Sequence, residues 1–161
     1  MKTIDQWLEE YGESHRNKTN KLVHWICVPT ILFTVLGLFA SIPSAGLFNW
    51  VPVQLSVLAN WGGVIVVFGL LFYLRLSWLM ALGMGIITVA MMFGVREVAK
   101  IHLAPLWAIC LGIFVVAWIF QFIGHKIEGK KPSFFKDLQF LMIGPAWLLG
   151  FVYRKIGLKY S

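Results

Sequence analysis

Four stretches of this chain, 22–40, 51–74, 76–95 and 102–124, contain no Asp, Glu, Lys or Arg. Each has about the 17 to 25 residues that a helix needs to cross ~30 Å of hydrocarbon. These runs constrain the fold most, because inside a bilayer the backbone must satisfy its own hydrogen bonds, and a single run does that as a helix. With 59% hydrophobic and only 13% charged residues among 161, the chain has too little polar surface for a water-soluble domain of its size. The expected fold is all-α: a polytopic membrane helix bundle of four spans, built as one integral domain over 1–161. A soluble protein with an oversized core is the alternative that the run lengths set aside.

The flanks refine this picture. Ile4, Trp7, Leu8 and Tyr11 recur at i, i+3, i+4 and i+7 opposite an acidic face, which describes an amphipathic surface helix within an interfacial segment 1–21. Thr3 and Gln6 fit a capping box at its start. The acidic residues Asp5, Glu9, Glu10 and Glu13, with no apolar run before Leu22, do not read as a secretory signal. Cys27 and Cys110 lie inside apolar runs, so neither a disulfide framework nor a cysteine metal site is expected. After the fourth span comes a polar loop at 125–137, "HKIEGKKPSFFKD", and then an apolar stretch at 138–153 with Gly144 and Pro145 near its centre. That stretch is expected to form a re-entrant or interfacial hairpin.

Four crossings place the start of the first span, the turn at Arg75 and the end of the fourth span on one side. Nine Lys and Arg residues (four before Leu22, Arg75, and four from Lys126 to Lys136) fall there, against Arg96 and Lys100 on the other side. The positive-inside rule makes the richer side cytosolic. The net charge of +7 is explained by these membrane flanks, and nucleic acid is not an expected partner.

The same topology sorts the four histidines. His15, His24 and His125 share the cytosolic face, whereas His102 begins the fourth span on the far side. His15 and His24 are nine positions apart, which at about 100° per residue puts them on opposite sides of a continuous helix. The intervening "RNKTN" supplies the break that lets them meet. Beyond it, Asn20 and His24 share a face at i, i+4, and Trp118, Gln121, His125 and Glu128 form a helical stripe on the fourth span. Neutral imidazoles with a nearby carboxylate suit Fe, Zn or Cu. Gln121 or Asn20 is placed to fix ring orientation from behind. The blander reading is that these histidines are interfacial polar residues, that Glu128 pairs with a loop lysine, and that the loop lysines and Arg75 anchor to lipid.

The blocks "YGESHRNKTNKLVHWICVPTILF" and "WIFQFIGHKIEGKKPSFFKDLQFLMIGPAWLL" resemble the membrane 2-hydroxy-fatty-acid dioxygenases, iron-dependent α-oxidation enzymes of the endoplasmic reticulum, and their bacterial relatives. The resemblance implies Fe(II), O₂ and a 2-hydroxy fatty acid, shortened by one carbon with release of CO₂, in a bacterial inner membrane or the endoplasmic reticulum. Carried over by position, the family's histidine motif falls on His15 and His24, and its "QF-GH" motif on Gln121 and His125. In the eukaryotic members the carboxylate after that last histidine stands one residue later than Glu128, so the resemblance does not secure Glu128 as a ligand or catalytic group.

The expected chemistry follows from electron balance. Converting R-CH(OH)-COOH and O₂ to R-COOH, CO₂ and water uses all four oxidising equivalents of O₂, so no 2-oxoglutarate, nicotinamide or flavin is required. Arg75 or Lys126 is placed to steer the substrate carboxylate. The acyl tail is expected between the first and fourth spans, near Phe33, Trp118 and Phe120. Four histidines are about half what membrane di-iron hydroxylases need, which leaves a haem-binding electron carrier and a non-enzymatic lipid-binding bundle as the rival functions.

Overall fold

The computed structural model describes residues 3–13, 15–129 and 140–160. Most of the expected polar loop, including Lys130, Lys131 and Lys136, and the first two residues of the expected hairpin lie outside them. Every regular element described is helical, which bears out the all-α expectation.

The first helix, α1 (Ile4–Glu13), buries Ile4, Leu8 and Tyr11. Thr3 and Gln6 cap it reciprocally: each side-chain oxygen accepts from the other's backbone N–H, at 3.3 and 2.9 Å. A break follows, and Asn17 then caps α2 (Lys18–Ala40) by accepting from the amides of Thr19 and Asn20. The "RNKTN" stretch therefore ends one helical direction and starts another, as its composition predicts.

The second expected span is divided. Val53–Leu58 is a short 3₁₀ turn, and α3 covers only Trp61–Leu74. Asn60 causes the break: its extended backbone (φ −159°, ψ 174°) and its side chain, accepting from Gly63 N–H, start a new helix at Trp61. At 1.5 Å per residue, its 14 residues extend about 21 Å, less than the hydrocarbon thickness. Ser77 then caps α4 (Trp78–Ala99), and α5 spans Leu106–Ile127. Thus α2, α4 and α5 are long and apolar enough to cross a membrane. Exposed Leu22 and Ile26 on α2, Ile86 and Phe93 on α4, and Ile119 and Phe120 on α5 give them outward surfaces suited to lipid.

In the described part of the expected hairpin, 140–142 form a turn and the rest belongs to one continuous helix, α6 (Ile143–Lys155). Gly144 and Pro145 stand in its first turn. There proline's missing N–H is one of those that lack an intrahelical partner in any case, so the ring starts the helix where it would break a helix interior.

The pairing of α2 with α5 is the most extensive in the bundle. Gly37 approaches Cys110 so closely that a Cβ would overlap its sulfur, and a Cβ on Gly124 would stand 2.5 Å from Asn20 Oδ1. Residue 37 meets 110 and residue 20 meets 124, so the two helices are antiparallel. Gly62 opens α3 against Leu36 and Met92, while Tyr73 near its end donates to the Met142 carbonyl. On α4, the Leu79 carbonyl accepts from Tyr153 at 2.8 Å, and Val95 lies beside Gly37. Helices α2 to α5 therefore alternate in direction. The chain returns to the histidine end through α3 although α3 is shorter than a span.

Candidate metal centre

This alternation brings His15, His24 and His125 together. One ligand atom from each lies within 4.8 Å of the others, and all three residues are buried. Ring centroids are 4.1 Å apart for His15 and His24, 5.0 Å for His24 and His125, and 5.5 Å for His15 and His125. His102 follows α4 at the opposite end of the bundle, at a positive φ of 53°, and takes no part.

Two of the rings are held alike. His15 Nδ1 lies 2.6 Å from the Tyr11 carbonyl, and His24 Nδ1 lies 2.9 Å from the Asn20 carbonyl. A carbonyl oxygen only accepts, so Nδ1 carries the proton in both rings and Nε2 keeps its lone pair. Both Nε2 atoms are buried, with no hydrogen-bond partner among the described residues. A buried acceptor left unpaired costs about 1–3 kcal/mol, and a cation would relieve both at once. Burial, with the His125 and Lys21 charges adding to it, pushes the His15 pKa down to about 4 against the opposing Tyr11 bond and Glu128 charge. The ring is therefore neutral at pH 7, the form that binds metal.

Imidazoles on one ion with M–N bonds of about 2.0–2.1 Å hold their nitrogens roughly 3 Å apart. The separations here, at most 4.8 Å, need only small ring pivots to close. Three nitrogen donors without sulfur or carboxylate fit first-row ions of the Fe, Zn and Cu kind and leave further coordination positions open. The residues present therefore fit a metal.

Glu128 is committed elsewhere. Its carboxylate accepts from the backbone amides of Arg16 (2.9 Å) and Asn17 (2.9 and 3.2 Å) and from Asn20 Nδ2 (3.0 Å). Burial raises its pKa, but the Asn17, Asn20 and Arg16 hydrogen bonds outweigh that and leave it below the usual carboxylate value. It ties the end of α5 to the His15 segment and to the start of α2, where the helix dipole also favours negative charge.

The other expected site residues divide. The Asn20 carbonyl orients His24, and its side chain holds Glu128. Gln121 is buried, and its Oε1 has no hydrogen-bond partner among the described residues. It touches neither His15 nor His24 by hydrogen bond. Instead it lines a cavity of about 20 Å³, room for about one water, together with His24, His125, Tyr11 and Trp118. Arg75 and Lys126 are exposed and line no part of it.

Tyr11 and Trp147 are additions the sequence reading did not assign to the site. The Tyr11 ring stacks on His15 at 4.2 Å and 14°, and Trp147 lies 5.3 Å from His15. The spacings Tyr11–His15 and Asn20–His24, both i, i+4, were the available signal. Each places a carbonyl one helical turn before an imidazole.

The sequence profile of a family described as "2-hydroxy-palmitic acid dioxygenase Mpo1-like" matches residues 1–156. The chain belongs to the Mpo1-like family. One relative in this family is the 2-hydroxy-palmitic acid dioxygenase MPO1 of Saccharomyces cerevisiae. It is 28% identical over 150 residues, which cover 91% of this chain and 78% of the yeast protein. No solved structure matches. The resemblance read from two sequence blocks thus extends over nearly the whole chain, and it supports a role like that of a 2-hydroxy fatty acid dioxygenase.

Proposed function

We propose that this protein is a membrane-interface dioxygenase that converts a 2-hydroxy fatty acid and O₂ to the acid one carbon shorter, CO₂ and water, using Fe(II) held by His15, His24 and His125. The observation that carries the proposal is the convergence of three buried imidazoles, two of them with Nδ1 fixed on a carbonyl and Nε2 without a partner among the described residues. The yeast relative's named substrate supports the substrate class.

When bound, the ion would supply the redox chemistry and a template for both reactants. The chain's residues supply the rest. The Tyr11 and Asn20 carbonyls keep the two rings in the ligating tautomer and orientation. Glu128 holds the His15 segment against α5 and is a positioning residue, not a ligand or general base. Gln121 Oε1 is the acceptor available to a substrate hydroxyl, and the Tyr11 and Trp147 rings shield His15 from water. Arg75 and Lys126, being exposed, are left the outer role of attracting a carboxylate headgroup. The excess of Lys and Arg in the sequence flanking this end supports a cytosolic face for the site.

A haem carrier fits less well. Histidine rings 4.1 to 5.5 Å apart, facing edge to face, leave no slot for a macrocycle between any two. Anaerobic purification with iron analysis, followed by product detection from a 2-hydroxy acid and O₂, tests the proposal. Stoichiometric iron and an acid one carbon shorter are expected. Metal-free protein without turnover would leave a lipid-binding bundle.

A further inference from the structure

A second hollow adjoins the histidine cavity. It has a volume of about 160 Å³ and is lined only by apolar residues of α2, α4 and α6, among them Pro29, Leu32, Met84, Ile87 and Leu148. Pro145 lines both hollows. On α2 the two occupy neighbouring stripes: His24, Val28 and Ile31 face the small cavity, and Trp25, Pro29 and Leu32 face the groove. From Trp25 to Leu32 the groove follows α2 for about 10 Å, starting at the depth of His24 and leading toward the far end of the bundle. Its floor is buried Leu32, Met84 and Leu148, and its rim is exposed Trp25 and Val152.

We infer that this groove binds the acyl tail of the carboxylic acid whose head meets the histidines, with Pro145 at the bend between head and tail. The inference rests on the proposed function for the head and adds where the chain lies. Three observations select the occupant. The walls present no polar surface, so water gains nothing there, whereas each methylene gains about 0.8 kcal/mol on burial. The groove shares a wall residue with the metal cavity. A larger apolar hollow of about 780 Å³ between α3 and α4 shares none.

The path expected from the sequence, between α2 and α5, is narrow: the helices touch where Gly37 meets Cys110 and where Gly124 meets Asn20, and the cavity between them has a volume of only about 20 Å³. Phe33 lies on Gly94 of α4, and Phe120 faces outward. Trp118 of the expected lining reaches the small cavity and not the groove.

The test is photo-labelling of the intact, metal-loaded protein in detergent, without oxygen. The probe is a long-chain 2-hydroxy acid carrying a diazirine midway along its tail. Labels are expected on the groove faces of α2, α4 and α6, and should be displaced by unlabelled long-chain 2-hydroxy acid. Ile87→Trp lies on α4, which contributes nothing to the metal centre. It should cut long-chain labelling at least fivefold while leaving iron content and short-chain binding unchanged. Labels on the outer face of α5, labels that no competitor displaces, or a variant that labels as the parent does would each overturn the groove. Competed groove labelling in a protein that shows no turnover would keep the groove and remove the dioxygenase reading instead.

Discussion

At the scale of single residues, the site is built from what each imidazole does with its second nitrogen. His15 and His24 spend Nδ1 on the carbonyl one turn earlier, which leaves Nε2 as the only outlet for the ring. Glu128 makes the rest possible by accepting from two amides and a carboxamide on the facing segment. Removing it breaks hydrogen bonds to a charged group, so Glu128→Ala should lower stability by about 1–3 kcal/mol and weaken metal binding about 10- to 100-fold. Metal titration with thermal denaturation measures both. The folded-state pKa of Glu128 is lowered, so its ionised form stabilises the fold. That contribution is complete above the usual carboxylate pKa and is lost as pH falls through the lowered value. Glu128→Gln should therefore flatten the acid side of the curve of apparent Tm against pH, and an unchanged acid limb would show that the clasp contributes nothing. Gln121→Leu removes the unpaired cavity acceptor. It should reduce discrimination between a 2-hydroxy acid and its unhydroxylated analogue, measured as binding, with iron retained.

At the scale of elements, the α2–α5 seam positions the centre, because it sets Asn20 and His24 opposite Gly124 and His125. Gly124→Val places a branched side chain on Asn20 and should lower both Tm and iron content. Gly112 lies on the same helix with open space around it, so Gly112→Ala should be neutral or raise stability by up to about 1 kcal/mol through helix propensity. Equal loss in both variants would mean that the seam is not specific. Several elements were readable from the sequence because their cause is local: the Thr3–Gln6 box and the break at 16–20 rest on short-range hydrogen bonds that the residue types announce. The division of the second span was announced as well, by Asn60 after a proline-led stretch, but uniform hydropathy across 51–74 hid it. Pro145 was misplaced for a related reason. A proline mid-run and a proline in a helix's first turn look alike until the start of the helix is known.

At the scale of the whole molecule, alternating helix direction collects histidines that are far apart in sequence. That gathering was readable, since counting crossings needs only hydropathy. The far wall of the site was not: Trp147 and the three-helix groove come from packing of α6 against α1, α2 and α4, and such contacts carry no periodic trace in a single chain. The bundle's two ends give a test of orientation. In sealed vesicles of known sidedness, cysteines introduced at Lys126 and at Leu103 should be labelled from opposite faces. Labelling of both from one face would overturn the up-and-down path.

The most direct test of the centre is the iron-to-protein ratio of the anaerobically purified protein and of its four single His→Ala variants, each first checked for retained helicity. The parent and His102→Ala should hold about one equivalent, and His15→Ala, His24→Ala and His125→Ala close to none. Full iron in any of those three, or its loss with His102→Ala, would contradict a site made by the convergence of residues 15, 24 and 125.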